Sequence, residues 1–199
     1  MSKYWMITNR NVLSDGLGQR LDGLTYWTAD SDDVATFSNW TKTRAEAFQK
    51  QLVAAADGFP LIADPTKFED QQHVTLFDHG YNNGWQAAAQ RYQSICRQLF
   101  DDKESLGLCV LFSWPSAGSP AEYLPDRAEA RAAAQDLADV LSALYDWLLK
   151  KQTDGIRCQN DSLSGCGSVK GLKLNLSFTR GYSCPLLLIL RSANRSGGR

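Results

Sequence analysis

The predicted fold class rests first on the stretch His73–Trp85, HVTLFDHGYNNGW. It opens with the apolar run Val74–Phe77, which has the length and the β-branched and aromatic composition of a strand. A polar, glycine-bearing turn follows over Asp78–Gly84, and the next residues, Gln86–Arg91, favour a helix. A strand that passes through such a turn into a helix is a βα unit, and ligands of α/β folds collect at the ends of such strands.

Composition is that of an ordinary soluble globular protein. The 199 residues are 43% hydrophobic and 22% charged, with a net charge of −1, which gives no reason to expect nucleic acid or an anionic membrane as partner. The longest apolar run, Leu186–Leu190, is far short of the roughly 18 residues that a membrane-spanning helix needs. The N-terminus lacks a charged-then-apolar signal pattern, so the sequence predicts a cytoplasmic protein.

The average charge hides a division near residue 150. Residues 1–149 carry 12 Lys and Arg against 20 Asp and Glu, a net of −8, whereas residues 150–199 carry 9 against 2, a net of +7. The sequence therefore predicts a domain over residues 1–150. Residues 151–199 form an atypical basic segment rich in Ser, Gly and Arg, expected to be poorly ordered or to derive from a shifted reading frame.

The predicted elements alternate in type along the chain. A hairpin comes first, then a helix that Thr43 caps with Glu46 as capping-box partner, and the unit at residues 73–100 supplies a strand and a helix. The strands and helices predicted elsewhere are Lys3–Thr8, Leu24–Thr28, Thr43–Ala56, Leu106–Trp114, Ala121–Lys150 and, less regular, Leu172–Phe178 and Leu186–Leu190. This order predicts an α/β fold with a mostly parallel sheet, an antiparallel N-terminal edge and helices on both faces.

Cysteine and acidic clusters give no metal or cofactor signal. The five cysteines form no CxxC pair and are odd in number, which favours reduced thiols, with Cys109 in a buried strand, over disulfides or a metal site. The acidic stretch Asp30–Asp33 lacks the Gly and the terminal Glu of a calcium loop and is interpreted as solvated surface. No cofactor is expected.

The turn His79-Gly80-Tyr81 has one plausible catalytic use. Gly80 lets the backbone approach a ligand closely, and the N–H groups after it can point at a developing oxyanion. The same three residues also fit an ordinary βα turn with an incidental histidine. Taken alone, this turn leaves both interpretations open.

Three blocks in order carry a resemblance to a known superfamily. They are HGYNN at residues 79–83, FSWPS at residues 112–116, and Tyr123-x-x-Asp126-Arg127 at the start of a long helix. Together with the N-terminal Trp5–Arg10, they make residues 1–150 resemble an uncharacterised bacterial branch of the α/β-hydrolase superfamily. That resemblance implies hydrolysis of a small-molecule ester, thioester or amide through an acyl-enzyme, by a Ser, Asp and His triad with an oxyanion hole.

The resemblance carries over to only a few residues. Gly80 and Tyr81 match the first oxyanion contribution, and His79 belongs to the same turn. Asp126 and Arg127 match the Tyr-x-x-Asp-Arg block, where the resemblance implies a structural or substrate-side role and an exposed ion pair is the alternative.

The nucleophile and the base are missing from this pattern. No G-x-S-x-G occurs, and the nearest approximation is Ser164–Ser168, where Cys166 has small residues on both sides and a flexible loop is the alternative. No histidine follows His79, although the base of the superfamily follows the nucleophile in sequence.

Three hypotheses follow from the sequence. The chain is an α/β-hydrolase-like protein, truncated or frameshifted after residue 150 and inactive; or it is a non-catalytic binding or interaction protein on the same scaffold; or it is a hydrolase that depends on Cys166. On the first hypothesis the sheet ends at Leu106–Trp114, which leaves an apolar edge prone to aggregation. That edge is protected only if Leu172–Phe178 or Leu186–Leu190 covers it.

Overall fold

A computed structural model describes residues 3–59, 72–80, 83–101, 106–116, 128–143, 172–175 and 186–192. Its strands form one seven-stranded sheet in the order β3-β2-β1-β5-β4-β7-β6. The strands are β1 (Tyr4–Val12), β2 (Leu17–Ala29), β3 (Trp40–Thr43), β4 (His73–Asp78), β5 (Gly107–Ser113), β6 (Leu172–Asn175) and β7 (Leu186–Ser192).

Parallel pairing is confined to the centre of the sheet. Strand β5 lies between β1 and β4 and is parallel to both, whereas β1–β2, β2–β3, β4–β7 and β6–β7 are antiparallel. The α/β class and the antiparallel N-terminal edge are confirmed. The expectation of a mostly parallel sheet is wrong for the described strands, because a second antiparallel pair closes the other side.

The edge strand of the predicted sheet is also different. Strand β5 was expected to end the sheet, but it lies in the interior, and β4, β7 and β6 follow it in that order. Strand β7 covers the outer edge of β4 along its whole length, from His73 opposite Arg191 to Asp78 opposite Leu186. The covering segment is one of the two that the sequence offered for this purpose.

Helices lie on both faces of the sheet, as predicted. Helix α1 (Ala45–Asp57) and the helical residues 128–143, here called α3, share one hydrophobic core, and helix α2 (Trp85–Leu99) packs in the other. Strand β5 is apolar up to Ser113 because Val110 and Phe112 enter the first core while Cys109 and Leu111 enter the second.

The first helix is not capped as predicted. Its N-cap residue is Arg44, and no side chain caps the helix. Thr43 cannot serve as the cap because it is the last residue of β3, where its hydroxyl donates to the carbonyl of Tyr26 at 3.4 Å. Sequence reasoning missed β3 because its four residues carry no apolar alternation long enough to recognise.

The N-terminal hairpin is longer than predicted and has a shorter loop. Asn9, Arg10 and Asn11 were interpreted as the turn that ends the first strand, but they continue β1, and only residues 13–16 separate β1 from β2. The longer β1 places Asn9 and Arg10 near the end of a central strand, where both are almost completely buried.

Two of the cysteines lie in the described part of the chain. Cys96 and Cys109 are both buried and free, as predicted for reduced thiols. They line the core beside the Tyr92 hydroxyl, which accepts from the Trp5 N–H at 3.0 Å and donates to the Cys109 carbonyl at 2.7 Å. Tyr92 thereby joins the backbones of β1 and β5 from helix α2.

Candidate functional site

The carboxyl ends of the three central strands meet at one edge of the sheet. The register places Ile7, Phe112 and Asp78 side by side across β1, β5 and β4. The residues that follow on each strand are polar, and nearly all are buried: Thr8, Asn9, Arg10, His79, Ser113 and Ser116. In α/β folds this edge is where ligands bind.

Trp114 holds His79 in one position and one tautomer. The two rings stack with centroids 5.2 Å apart and planes 13° apart. The backbone N–H of Trp114 donates to His79 Nε2 at 3.2 Å, so the ring proton is on Nδ1, which donates to the Gly80 carbonyl at 2.9 Å. The indole N–H of Trp114 donates to the His79 carbonyl at 3.1 Å.

The environment of His79 disfavours its charged form. The ring is buried, and burial together with the nearby charge of Arg10 lowers the pKa of His79 to about 4. A histidine with this pKa stays neutral at physiological pH and is a weak general base.

Arg10 forms hydrogen bonds to three segments around the turn. Its Nε donates to Ser113 Oγ at 3.0 Å, its Nη1 to the Gly18 carbonyl at 3.2 Å and its Nη2 to the Asn83 carbonyl at 3.0 Å. Arg10 as a whole is 1% exposed. One buried side chain on β1 therefore ties the end of β5, strand β2 and the turn after β4 together.

Hydrogen bonds to carbonyl and hydroxyl oxygens stabilise the turn itself. The Gly80 carbonyl accepts from Asn83 Nδ2 at 2.8 Å as well as from His79, and the Asn83 N–H donates to Ser116 Oγ at 3.2 Å. Within the described ranges, no group accepts a hydrogen bond from the N–H of half-buried Gly80. The oxyanion contribution of Gly80 stays a prediction.

Asp78 is the second titratable residue at this edge. Burial raises the pKa of Asp78 to about 7, and an interaction with the Trp114 side chain opposes that shift. Its Oδ1 is buried with no hydrogen-bond partner. Titratable groups shifted in this way cluster at functional sites, which makes Asp78 part of the candidate site.

Ser113 is the hydroxyl nearest to His79, and their geometry is that of a buried structural pair. Ser113 Oγ lies 3.5 Å from His79 Nε2, the longest contact that this nitrogen makes among the described residues. Ser113 is fully buried, its Oγ accepts from Arg10, and Nε2 already accepts from the Trp114 N–H. An activated nucleophile needs an available base and access to substrate, and Ser113 has neither.

The structure brings only part of the predicted site together. His79 and Gly80 lie at the carboxyl edge as expected, whereas Tyr81, Asp126, Arg127 and Cys166 lie outside the described residues. Sequence reasoning missed Arg10, Asp78 and Ser113 as members of the site. Position was a usable signal for Asp78 and Ser113, which stand at the ends of predicted strands, whereas Arg10 had been assigned to the turn after the first strand.

Comparison with known families supports the resemblance over part of the chain. Residues 61–154 match the model of a family described as "Alpha/beta hydrolase of unknown function (DUF900)". The resemblance to α/β hydrolases is therefore confirmed over that part of the chain, which includes the turn and β5. No curated protein and no solved structure gave a match.

A membrane-spanning helix is not found either. Within the described residues, no helix has both the length and the apolar character needed to cross a bilayer.

Proposed function

We propose that this chain is a non-hydrolysing member of an α/β-hydrolase-type family whose parent reaction is ester, thioester or amide hydrolysis through an acyl-enzyme. The observation that carries the proposal is the antiparallel pairing of β7 with β4. A nucleophile elbow needs a strand whose carboxyl end lies at the same edge as the oxyanion turn. Strand β7, the strand next to β4 where the elbow strand would lie, runs the other way, so its carboxyl-terminal residues lie at the opposite edge, where Arg191 pairs with His73.

The histidine supports the same conclusion. His79 is the only histidine at the carboxyl edge, since His73 begins β4 at the other end. Both ring nitrogens of His79 are engaged with backbone groups, and its low pKa removes it as a base. Of the catalytic groups of the parent family, only the turn after β4 remains among the described residues, with the backbone N–H of Gly80 as a donor.

Activity-based labelling tests the proposal. A fluorophosphonate probe and p-nitrophenyl butyrate would be applied to the full chain, to Ser113→Ala, to Ser116→Ala and to Cys166→Ala. The expected result is no stoichiometric labelling and a hydrolysis rate equal to that of buffer for all four proteins. Labelling or turnover that one of the three substitutions abolishes would overturn the proposal, and loss in Cys166→Ala would establish the cysteine-dependent hydrolase.

A binding or interaction protein on the same scaffold is the second candidate function. It is favoured by the coverage of β4, because a sheet whose apolar edge is paired can persist as a stable protein. Such a protein unfolds cooperatively and protects residues 186–192 from protease. Rapid clipping near residues 150–160 with no cooperative transition would exclude this candidate.

A further inference from the structure

Strand β2 is paired on its outer side over only part of its length. It has β1 on one side and β3 on the other, but β3 pairs only with residues 26–29 of β2. Among the described strands, none lies beside residues 17–25 on that outer side, here called the open edge. An open edge presents a row of backbone donors and acceptors with which another strand can pair.

Two charged side chains stand at the middle of the open edge. Arg20 and Asp22 are exposed, and Leu21 between them is half-buried against the core shared by α1 and α3. Because side chains alternate along a strand, Arg20 and Asp22 share the face opposite to that core. Among the described residues, the salt bridges are those of Lys3, so neither Arg20 nor Asp22 has a charged partner there.

The backbone of Leu21 points to the open edge. The Arg20 N–H donates to Asn11 Oδ1 at 2.9 Å, so it is directed toward β1. Since successive N–H groups of a strand point to opposite sides, the N–H and the carbonyl of Leu21 are directed outward. Leu21 can therefore exchange two hydrogen bonds with a residue directly opposite on another strand.

Bulges on both sides of Leu21 restrict what can pair with it. The pairing of β1 with β2 shifts register before and after the pair Arg10–Leu21, with the additional residues on β2. Bulges and charged residues usually protect an edge against foreign strands. A second copy related by a twofold axis at Leu21 carries the same bends, because residues 18–20 of one copy then face residues 22–24 of the other.

The charges of the open edge are complementary to themselves. When two copies pair antiparallel with Leu21 opposite Leu21, Arg20 of each copy lies opposite Asp22 of the other. Opposite charges directly across from one another stabilise an antiparallel pair, and like charges destabilise it. A pairing centred on Arg20 or on Asp22 instead places like charges opposite each other. The charge pattern thus favours one register.

We propose that the open edge of β2 is the interface of a homodimer, in which two copies pair antiparallel about Leu21. The twofold axis joins the two sheets into one continuous sheet. The Leu21 residues supply the central hydrogen bonds, and two pairs of Arg20 with Asp22 fix the register. The interface is separate from the turn after β4, and it does not depend on whether the chain hydrolyses a substrate.

Analytical ultracentrifugation of the full chain tests the proposal. The unaltered chain is expected to pass from monomer to dimer as its concentration rises from about 1 to about 200 µM, a range that detects modest affinities. Arg20→Asp and Asp22→Arg should each weaken association at least tenfold, because each places like charges opposite one another on both sides of the axis. The double variant Arg20→Asp/Asp22→Arg has opposite charges in these places again and should dimerise.

The matched control is Asp15→Arg. It changes the net charge as much as Asp22→Arg does, at an exposed position between β1 and β2, and should leave the dimer intact. A chain that stays monomeric at every concentration would overturn the proposal, as would a dimer that both single charge reversals leave unchanged. A double variant that folds, as judged by far-ultraviolet circular dichroism, and stays monomeric would contradict the register.

Amide hydrogen exchange supplies a readout that needs no variant. The Leu21 N–H is directed outward, so its exchange should slow as the protein concentration rises and the dimer forms. The same exchange rate of Leu21 in monomer and dimer would place the interface elsewhere and overturn the proposal.

Discussion

Trp114 donates both of its N–H groups to His79, the backbone N–H to Nε2 at 3.2 Å and the indole N–H to the carbonyl at 3.1 Å. One residue of β5 thereby fixes both the ring and the backbone of the residue that follows β4. The resemblance to hydrolases points to a catalytic role for His79. Its contacts with Trp114 instead join the ends of two parallel strands, β4 and β5.

Replacing Trp114 with Phe should lower the free energy of unfolding by about 1–3 kcal/mol. The stack on His79 would persist in part, but the buried His79 carbonyl would lose its donor. Urea denaturation measures the change. Trp27→Phe is the control, since its indole N–H reaches only the part-buried Thr25 hydroxyl at 2.9 Å and its loss should cost less. Equal losses in the two variants would contradict the role assigned to Trp114.

Asp78 and His79 should have opposite effects on the pH dependence of stability. Asp78 has a folded pKa of about 7, raised from 3.8, so its contribution is lost as pH rises from about 4 to 7. His79 has a folded pKa of about 4, lowered from 6.5, so its contribution is lost as pH falls from about 6.5 to 4. Between pH 4 and 6.5 the two groups therefore change the free energy of unfolding in opposite directions.

Single variants should therefore reveal the pH dependence of stability that each of the two groups contributes. Asp78→Asn should lose stability as pH falls from 6.5 to 4, and His79→Gln should lose it as pH rises from 4 to 7, each by at most about 1.4 kcal/mol per pH unit. Urea midpoints at four pH values across this range would show the difference. Profiles parallel to that of the unaltered chain would mean that neither group is shifted.

Replacing Arg10 should destabilise the turn and raise the pKa of His79. Arg10→Met leaves the Ser113 hydroxyl and two carbonyls without a buried donor, so amide exchange at Asn83 should accelerate. The pKa of His79 should rise because a nearby positive charge is gone. Proton NMR of the His79 ring reports that rise. Arg20→Met, at an exposed position of β2, is the matched control and should change neither quantity.

Gly107 should tolerate no side chain. Its φ is +114°, and an added Cβ would lie 2.2 Å from the carbonyl oxygen of His73, which is backbone of the neighbouring strand. Gly107→Ala should cost more than about 2 kcal/mol or prevent folding. Gly23→Ala, where nothing lies within 4 Å, should be nearly neutral in the same thermal unfolding assay. A stable Gly107→Ala protein would contradict the pairing of β4 and β5 as described.

The sequence predicted the centre of the fold better than its edges. Strands β4 and β5 and helix α2 carry long apolar patterns set by burial, and they were placed to within a residue or two. Strand β3 is too short to show a pattern, and the end of β1 is polar because it forms the site. A propensity rule interprets such a strand end as a turn.

The candidate site was predictable only in part for a similar reason. His79 and Gly80 belong to a block whose resemblance identifies it, so they could be named in advance. Arg10 and Asp78 acquire their roles from strands that are distant in sequence, through contacts that no local pattern encodes. The orientation of β7 was likewise beyond the sequence, since an apolar segment such as Leu186–Leu190 pairs equally well in either direction.

Interstrand nuclear Overhauser effects in the full chain would show whether β7 runs antiparallel along β4, on which the proposed lack of hydrolysis depends. The pairing predicts contacts between Thr75 and Ile189 and between Phe77 and Leu187, so that the partner number falls as the β4 number rises. Contacts whose partner numbers rise together would establish a parallel strand. Its carboxyl end would then lie beside the turn that follows β4, and the proposal that β7 cannot present a nucleophile there would be contradicted.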